Sequence, residues 1–141
     1  MPVRFFTEDV DEIKIPKQLL TGWIKNCSLK YSHTIGDINF IFCSDEYLKE
    51  INIQYLMHNY YTDIITFNYN EANTISGDIY ISTERVLDNS IFYNVTFHDE
   101  LYRVIIHGIL HLNGFSDETI AQKSKMRLLE DDCLKLLKTT F

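Results

Sequence analysis

The spacing of apolar and polar positions changes period several times along the chain. Val3 to Phe6 is a short apolar run that predicts an opening strand. Pro16 suits the first turn of a helix, and Leu19, Leu20, Trp23, Ile24 and Cys27 then share one face at helical spacing. Ile38, Phe40 and Phe42 alternate with Asn39, Ile41 and Cys43, which predicts a strand covered on both faces. Ser44 reads as an N-cap with Asp45 and Glu46 in the favourable first turn, and Leu48, Ile51 and Tyr55 form the expected buried stripe of a second helix. Ile64 to Tyr69 is β-branched and aromatic and predicts a strand. Ile79 and Ile81 alternate with Asp78, Tyr80 and Ser82 and predict its partner, with Asn70 to Gly77 as the turn of a hairpin. A short helix over 83–90 follows, with Val86 and Leu87 inward.

Thr96 opens the next helix, with Asp99 three residues later in the manner of a capping box. From Val104 to Leu112 nearly every residue is apolar, which predicts a helix buried on most sides. Asn113-Gly114 supplies a left-handed stop. The last helix runs from about Glu118 to Lys138, with Met126, Leu129, Cys133 and Leu136 as its stripe. The order β-α-β-α-β-β-α-α-α defines one α/β (α+β) domain over residues 1–141, with about four strands in a mixed sheet and about five helices.

Composition narrows the function classes. At 141 residues and 45% apolar content the chain buries a core without needing a disulfide or metal to fold. Nine Tyr, nine Phe and Trp23 exclude a disordered acidic tail. No stretch approaches the ~18 apolar residues of a membrane span. Glu8, Asp9, Asp11 and Glu12 follow Arg4 too closely for a signal peptide. Cys27, Cys43 and Cys133 form no CxxC and read as reduced core residues of a cytoplasmic protein. The net charge of −7 repels phosphate backbones, so a nucleic-acid role must rest on a local patch or a bound metal.

The chemistry concentrates in His107-Gly108-Ile109-Leu110-His111-Leu112-Asn113-Gly114-Phe115-Ser116-Asp117. Two histidines four apart lie ~40° apart around a helix, so both imidazoles point to one spot. Gly114 lets the chain turn back, and Asp117 returns a carboxylate to that spot. The spacing H-x3-H-x2-G-x2-D is that of the metzincin zinc motif with Asp as third ligand. A lone histidine on such a helix is usually a core residue bonded to a carbonyl. Two unpaired imidazoles there would cost on the order of 1–3 kcal/mol each, and a metal satisfies both at once. Nitrogen and carboxylate donors suit zinc, with nickel, copper or iron as alternatives. Three ligands leave an open position, as in catalytic sites. Position 108 is Gly, where an HExxH peptidase carries its Glu base.

HGILHLNGFSD closely resembles the HGxLHLxGyDH signature of the YbeY endoribonucleases, also described as rRNA maturation factors. Ile51-Asn52 with Tyr55, then Thr62-Asp63-Ile64-Ile65-Thr66-Phe67, is similar to the family's LNxxYR…TDVLSF segment. Gly77-Asp78-Ile79-Tyr80-Ile81-Ser82 resembles its GDIxIS strand, and Met126 and Glu130 match its final helix. The resemblance implies a cytoplasmic, zinc-dependent, single-strand-specific endoribonuclease. It also implies a role on the 16S rRNA precursor and small ribosomal subunit, in 3′-end maturation and quality control.

Two departures both remove positive charge. Asp117 stands where the family carries its third His, with Ser116 at the motif's Asp, and Leu56 replaces an arginine thought to hold substrate phosphate. His58 or Arg85 offers a substitute for that arginine. Besides the nuclease, two readings remain: a non-catalytic ribosome-assembly factor with a structural metal, and another metallohydrolase such as a peptidase, against which Gly108 argues. Lys123, Lys125 and Arg127 form either an RNA contact or a solvated face, and Tyr60 and Tyr61 either stack on bases or anchor a loop. His33 and His98 read as turn and surface residues.

Overall fold

A computed structural model describes residues 2–140. Its elements follow the expected order: β1 (Val3–Thr7), α1 (Lys17–Leu29), β2 (Thr34–Cys43), α2 (Asp45–Leu56), β3 (Ile64–Asn68), β4 (Thr74–Ser82), α3 (Thr83–Phe92), α4 (Phe97–Leu112) and α5 (Ile120–Thr140). The four strands form one mixed sheet in the order β1-β2-β4-β3. β1 and β4 flank β2 in parallel, while β3 runs antiparallel to β4. Each parallel pair is joined through a helical crossover, and the β3–β4 pair through a short turn, as the geometry of the two ladders demands.

Alternation along β2 and β4 divides their side chains between the two faces of the sheet. Phe40, Phe42, Ile79 and Ile81 join Trp23 and Ile24 of α1, the α4 core and Met126 and Cys133 of α5 in the main core. Cys43, Leu48 and Ile65 form a smaller cluster with Tyr80 on the α2 side. Deep burial of α4 follows from its composition: Leu101, Ile105, Ile106, Ile109 and Leu110 are all fully buried. The three cysteines are free and buried. Among the described residues no helix is long and apolar enough to cross a membrane.

Several local expectations are corrected. Pro16 is the N-cap of α1, one position before its first turn. β2 begins at Thr34, and β4 begins at Thr74, so the hairpin turn is shorter than 70–77. Ala72 there takes φ 51°. Tyr55 is exposed, with its ring edge-on to Phe67 of β3, and its buried place in α2 is taken by Asn52. Leu87 is exposed, and the inward face of α3 is Val86 with Ser90. The α5 stripe is Met126, Glu130, Cys133 and Leu137, with Leu129 and Leu136 half-buried at its edges. A glutamate on the core face of that helix is the feature its apolar stripe conceals.

Candidate metal centre

The site is built at the C-terminal end of α4. Gly114 adopts φ 98° and closes a Schellman turn: Phe115 N–H donates to the Leu110 carbonyl at 3.1 Å and Gly114 N–H to that of His111 at 3.0 Å. Asn113 itself stays at φ −77°, so Gly114 alone carries the left-handed stop. The turn is pinned from outside. Buried Asn113 donates to the Ile109 carbonyl, and its Oδ1 pairs with His33 Nδ1 at 2.7 Å. His33 is thus a tether between the end of α4 and the start of β2. His98 is exposed, and its Nε2 pairs with the Lys14 carbonyl at 3.1 Å.

The same turn aims the Phe115 carbonyl back at His111 Nδ1, 2.9 Å away. A carbonyl only accepts, so Nδ1 carries the proton and Nε2 is left bare in the neutral ring. His107 Nδ1 donates to Glu130 Oε2 at 2.6 Å. The two Nε2 atoms then face each other at 2.9 Å, with Asp117 Oδ2 3.2 Å from one and 3.4 Å from the other. Three donor atoms from His107, His111 and Asp117 therefore converge within 4.8 Å of one another. With both rings neutral the two Nε2 atoms are acceptors that cannot hydrogen-bond each other, so the cluster is complementary to a cation, whether a shared proton or a metal ion. Burial alone would lower the His107 pKa, but Glu130 and Asp117 outweigh it and raise it; burial and the neighbouring His107 lower that of His111.

Behind the cluster lies an ion-pair relay that runs from buried Glu130 to half-exposed Asp131. Arg103 donates to Glu130 Oε1 at 2.9 Å and to Asp131 at 2.7 Å. Arg103 sits one turn before His107 on α4, and Glu130 is only 5% exposed on α5. Neither was singled out from sequence as a site residue; the signal was an arginine four before a histidine in a greasy helix. Half-buried Asp63, just before β3, has its carboxyl pushed up by burial, an effect the neighbouring His107 opposes.

Two clefts meet at Asp63, His107 and Asp117. One, of about 570 Å³, also takes in Arg103, Lys123 and Arg127. The other, of about 440 Å³, takes in His111, Leu56, His58 and Tyr60. Of the trio Lys123, Lys125 and Arg127, Lys123 and Arg127 line the larger cleft, Arg127 over the Tyr93 ring, whereas Lys125 lies over the Phe115 ring. Arg85 does not line either cleft; it is committed to Asp45 at 2.8 Å and lies over the Tyr61 ring. Tyr61 is a loop anchor, tied also to Lys49 and to Glu46. His58 sits on the lip of the smaller cleft, paired with Tyr60. Gly108 packs where a side chain would collide: a Cβ there would lie 2.9 Å from Ile64 Cδ1 and 3.1 Å from Ile79 Cγ2. That position faces the sheet, so it has no room for a peptidase glutamate.

A mixed α+β sheet whose buried helix presents two histidines and a returning aspartate to an open cleft defines a class: a small domain with a helix-borne cation site. Residues 6–138 match the family described as Endoribonuclease YbeY. Relatives named Endoribonuclease YbeY include one from Bacteroides fragilis, 46% identical over 98% of this chain and 99% of its own length. Another, from Parabacteroides distasonis, is 44% identical over 97% and 96%. A Thermotoga maritima protein solved in solution superposes with TM-score 0.61 at 28% identity, covering 97% of this chain and 92% of that one. The chain belongs to the YbeY family.

Proposed function

We propose that this protein is a metal-dependent endoribonuclease that binds one zinc ion through His107, His111 and Asp117 and acts on single-stranded RNA, with precursor 16S rRNA on the small ribosomal subunit in the cytoplasm as its substrate. The observation that carries the reading is the convergence of two Nε2 atoms and a carboxylate oxygen at the junction of two open clefts, in a chain of this family. Nitrogen and carboxylate donors suit zinc. Bound there, the ion supplies Lewis-acid polarisation of a phosphoryl oxygen or an acidified water.

The protein's own residues do the rest. Glu130 and the Phe115 carbonyl hold the protons on the two Nδ1 atoms, which fixes tautomer and ring orientation. Lys123 and Arg127 line the cleft from α5 and offset the local excess of carboxylates for an incoming phosphodiester. RNA carries its own nucleophile in the 2′-hydroxyl, so a base and charge stabilisation suffice. The lack of space at Gly108 speaks against a peptidase. The reading as a non-catalytic assembly factor with a structural metal draws on Leu56 and Asp117, both less cationic than the family pattern.

Metal analysis and RNA cleavage by wild type and His111→Ala test the proposal together. Wild type should hold one metal per chain and cleave single-stranded RNA; the variant should lose most of the metal and the cleavage while melting cooperatively. Full occupancy in His111→Ala refutes the ligand set. Metal loss without any cleavage in wild type favours the assembly factor.

A further inference from the structure

The two clefts that meet at His107 differ in chemistry. The α5 side carries Lys123 and Arg127, whereas no Lys or Arg is found among the described residues lining the other. What that side carries instead is a pair of stacked rings. His58 and Tyr60 lie with centroids 5.2 Å apart and planes 21° from parallel, and Tyr60 Oη is 3.0 Å from His58 Nδ1. Tyr60 is 54% exposed, so its ring does not serve to anchor the loop.

The anchoring is done by the backbone, through Asn52. This residue is 1% exposed, and its Nδ2 donates to the Tyr60 carbonyl at 3.1 Å. The Asn52 carbonyl accepts from Met57 N–H, which caps α2, and from His58 N–H at 3.1 Å. Met57 takes the left-handed conformation, φ 57°, that reverses the chain at this point. One buried side chain and one carbonyl thus clamp a four-residue loop whose rings stay open to solvent. Tyr61 shows the contrast: its ring is held by Lys49, Arg85 and Glu46. A fixed, exposed aromatic pair in a cleft without Lys or Arg is the arrangement that receives a planar ring by stacking, which requires no sequence-specific hydrogen bonds.

We propose that the His58–Tyr60 pair is a nucleobase platform that stacks a base of single-stranded RNA beside the metal centre while Lys123 and Arg127 face the backbone on the far side. The inference rests on the ribonuclease reading. His58 is then a supporting ring and not a replacement for a phosphate-holding arginine.

The test is the affinity of a fluorescein-labelled 2′-O-methyl RNA dodecamer, which lacks the free 2′-hydroxyl, measured by anisotropy across a salt series. Tyr60→Ala and Tyr60→Leu should each weaken binding about tenfold, the value of one aromatic–base stack. Tyr60→Trp should bind at least as tightly as wild type. The slope of log affinity against log salt should stay that of wild type in all three, because stacking releases no counterions. His58→Ala should lose a smaller factor, since Tyr60 keeps its backbone clamp. Wild-type affinity in Tyr60→Ala overturns the platform and leaves the ribonuclease reading standing. Wild-type affinity in Tyr60→Leu alone also overturns it, by showing an apolar contact without stacking. A wild-type protein that binds no single-stranded RNA overturns the ribonuclease reading, and the platform with it.

Discussion

Replacing Glu130 by Gln separates positioning from packing, because the two side chains have nearly the same shape. Glu130 accepts from His107 Nδ1 at 2.6 Å through one oxygen and from Arg103 at 2.9 Å through the other. Glutamine offers one acceptor and one donor, so it serves only one of these partners and presents an N–H to the other. Arg103 keeps Asp131 at 2.7 Å, so the guanidinium is not stranded. Whichever partner keeps the amide oxygen, His107 loses its charged acceptor, and its Nε2 becomes a weaker donor to a cation. Loss of such an outer partner typically costs 10–100-fold in metal affinity, about 1.4–2.7 kcal/mol.

Competition against a chromophoric chelator reads that number directly, without an activity assay. Asp131→Asn is the control: it touches the same Arg103 but not His107, and Asp131 is 42% exposed. Its metal affinity should stay within about twofold of wild type, as for a pair away from the ligands. If Glu130→Gln binds metal as tightly as wild type, or Asp131→Asn weakens it equally, then Glu130 does not act through His107.

Two further outcomes follow from packing and burial. Gly108→Ala gains about 1 kcal/mol of helix propensity but loses about 1–3 kcal/mol to overpacking against Ile64 and Ile79, so urea unfolding should show a net destabilisation near 1 kcal/mol; a more stable variant would contradict the close approach of α4 to the sheet. Burial raises the pKa of Glu100, 6% exposed, against the opposing pull of Arg103, so the native state holds its proton to higher pH than the unfolded chain and wild-type stability falls as pH rises through that interval. Glu100→Gln should therefore be more stable than wild type at neutral pH, with the gain vanishing as pH falls below the ordinary glutamate value of about 4.3; a loss of stability that does not vary with pH would refute the sign.

Sequence patterning exposed the element order and the convergent ligands because both depend on local periodicity. His107, His111 and the Gly114 stop lie within one helix and its cap, where spacing fixes geometry. Glu130 and Arg103 were hidden because their roles arise from α5 crossing α4, and periodicity along either helix does not encode that crossing. Tyr55 and Leu87 are exposed for a related reason: tertiary packing, which periodicity does not encode, covers only part of each helix's apolar residues. Arg85 illustrates the limit for charge. Its composition fits a phosphate contact, but Asp45 claims it through a tertiary ion pair between α2 and α3.

The resemblance to the family motif implies two losses of positive charge, at Leu56 and Asp117, and the structure shows how the remaining charge is arranged. Of the three cations in the larger cleft, Arg103 is neutralised by Glu130 and Asp131, which leaves Lys123 and Arg127 to meet a phosphate. Both stand one turn apart on α5, on one side of His107. Leu56, at the position of the missing arginine, lines the opposite side together with His58 and Tyr60. A polyanion crossing the site therefore meets attraction on one flank only, in a chain of net charge −7. Such one-sided attraction orients the strand: its backbone is drawn toward α5 and its bases are turned toward the aromatic lip. Leu56 in place of a cation thus gives the site its direction, whereas Asp117, shared by both clefts, weakens it as a phosphate trap on either side.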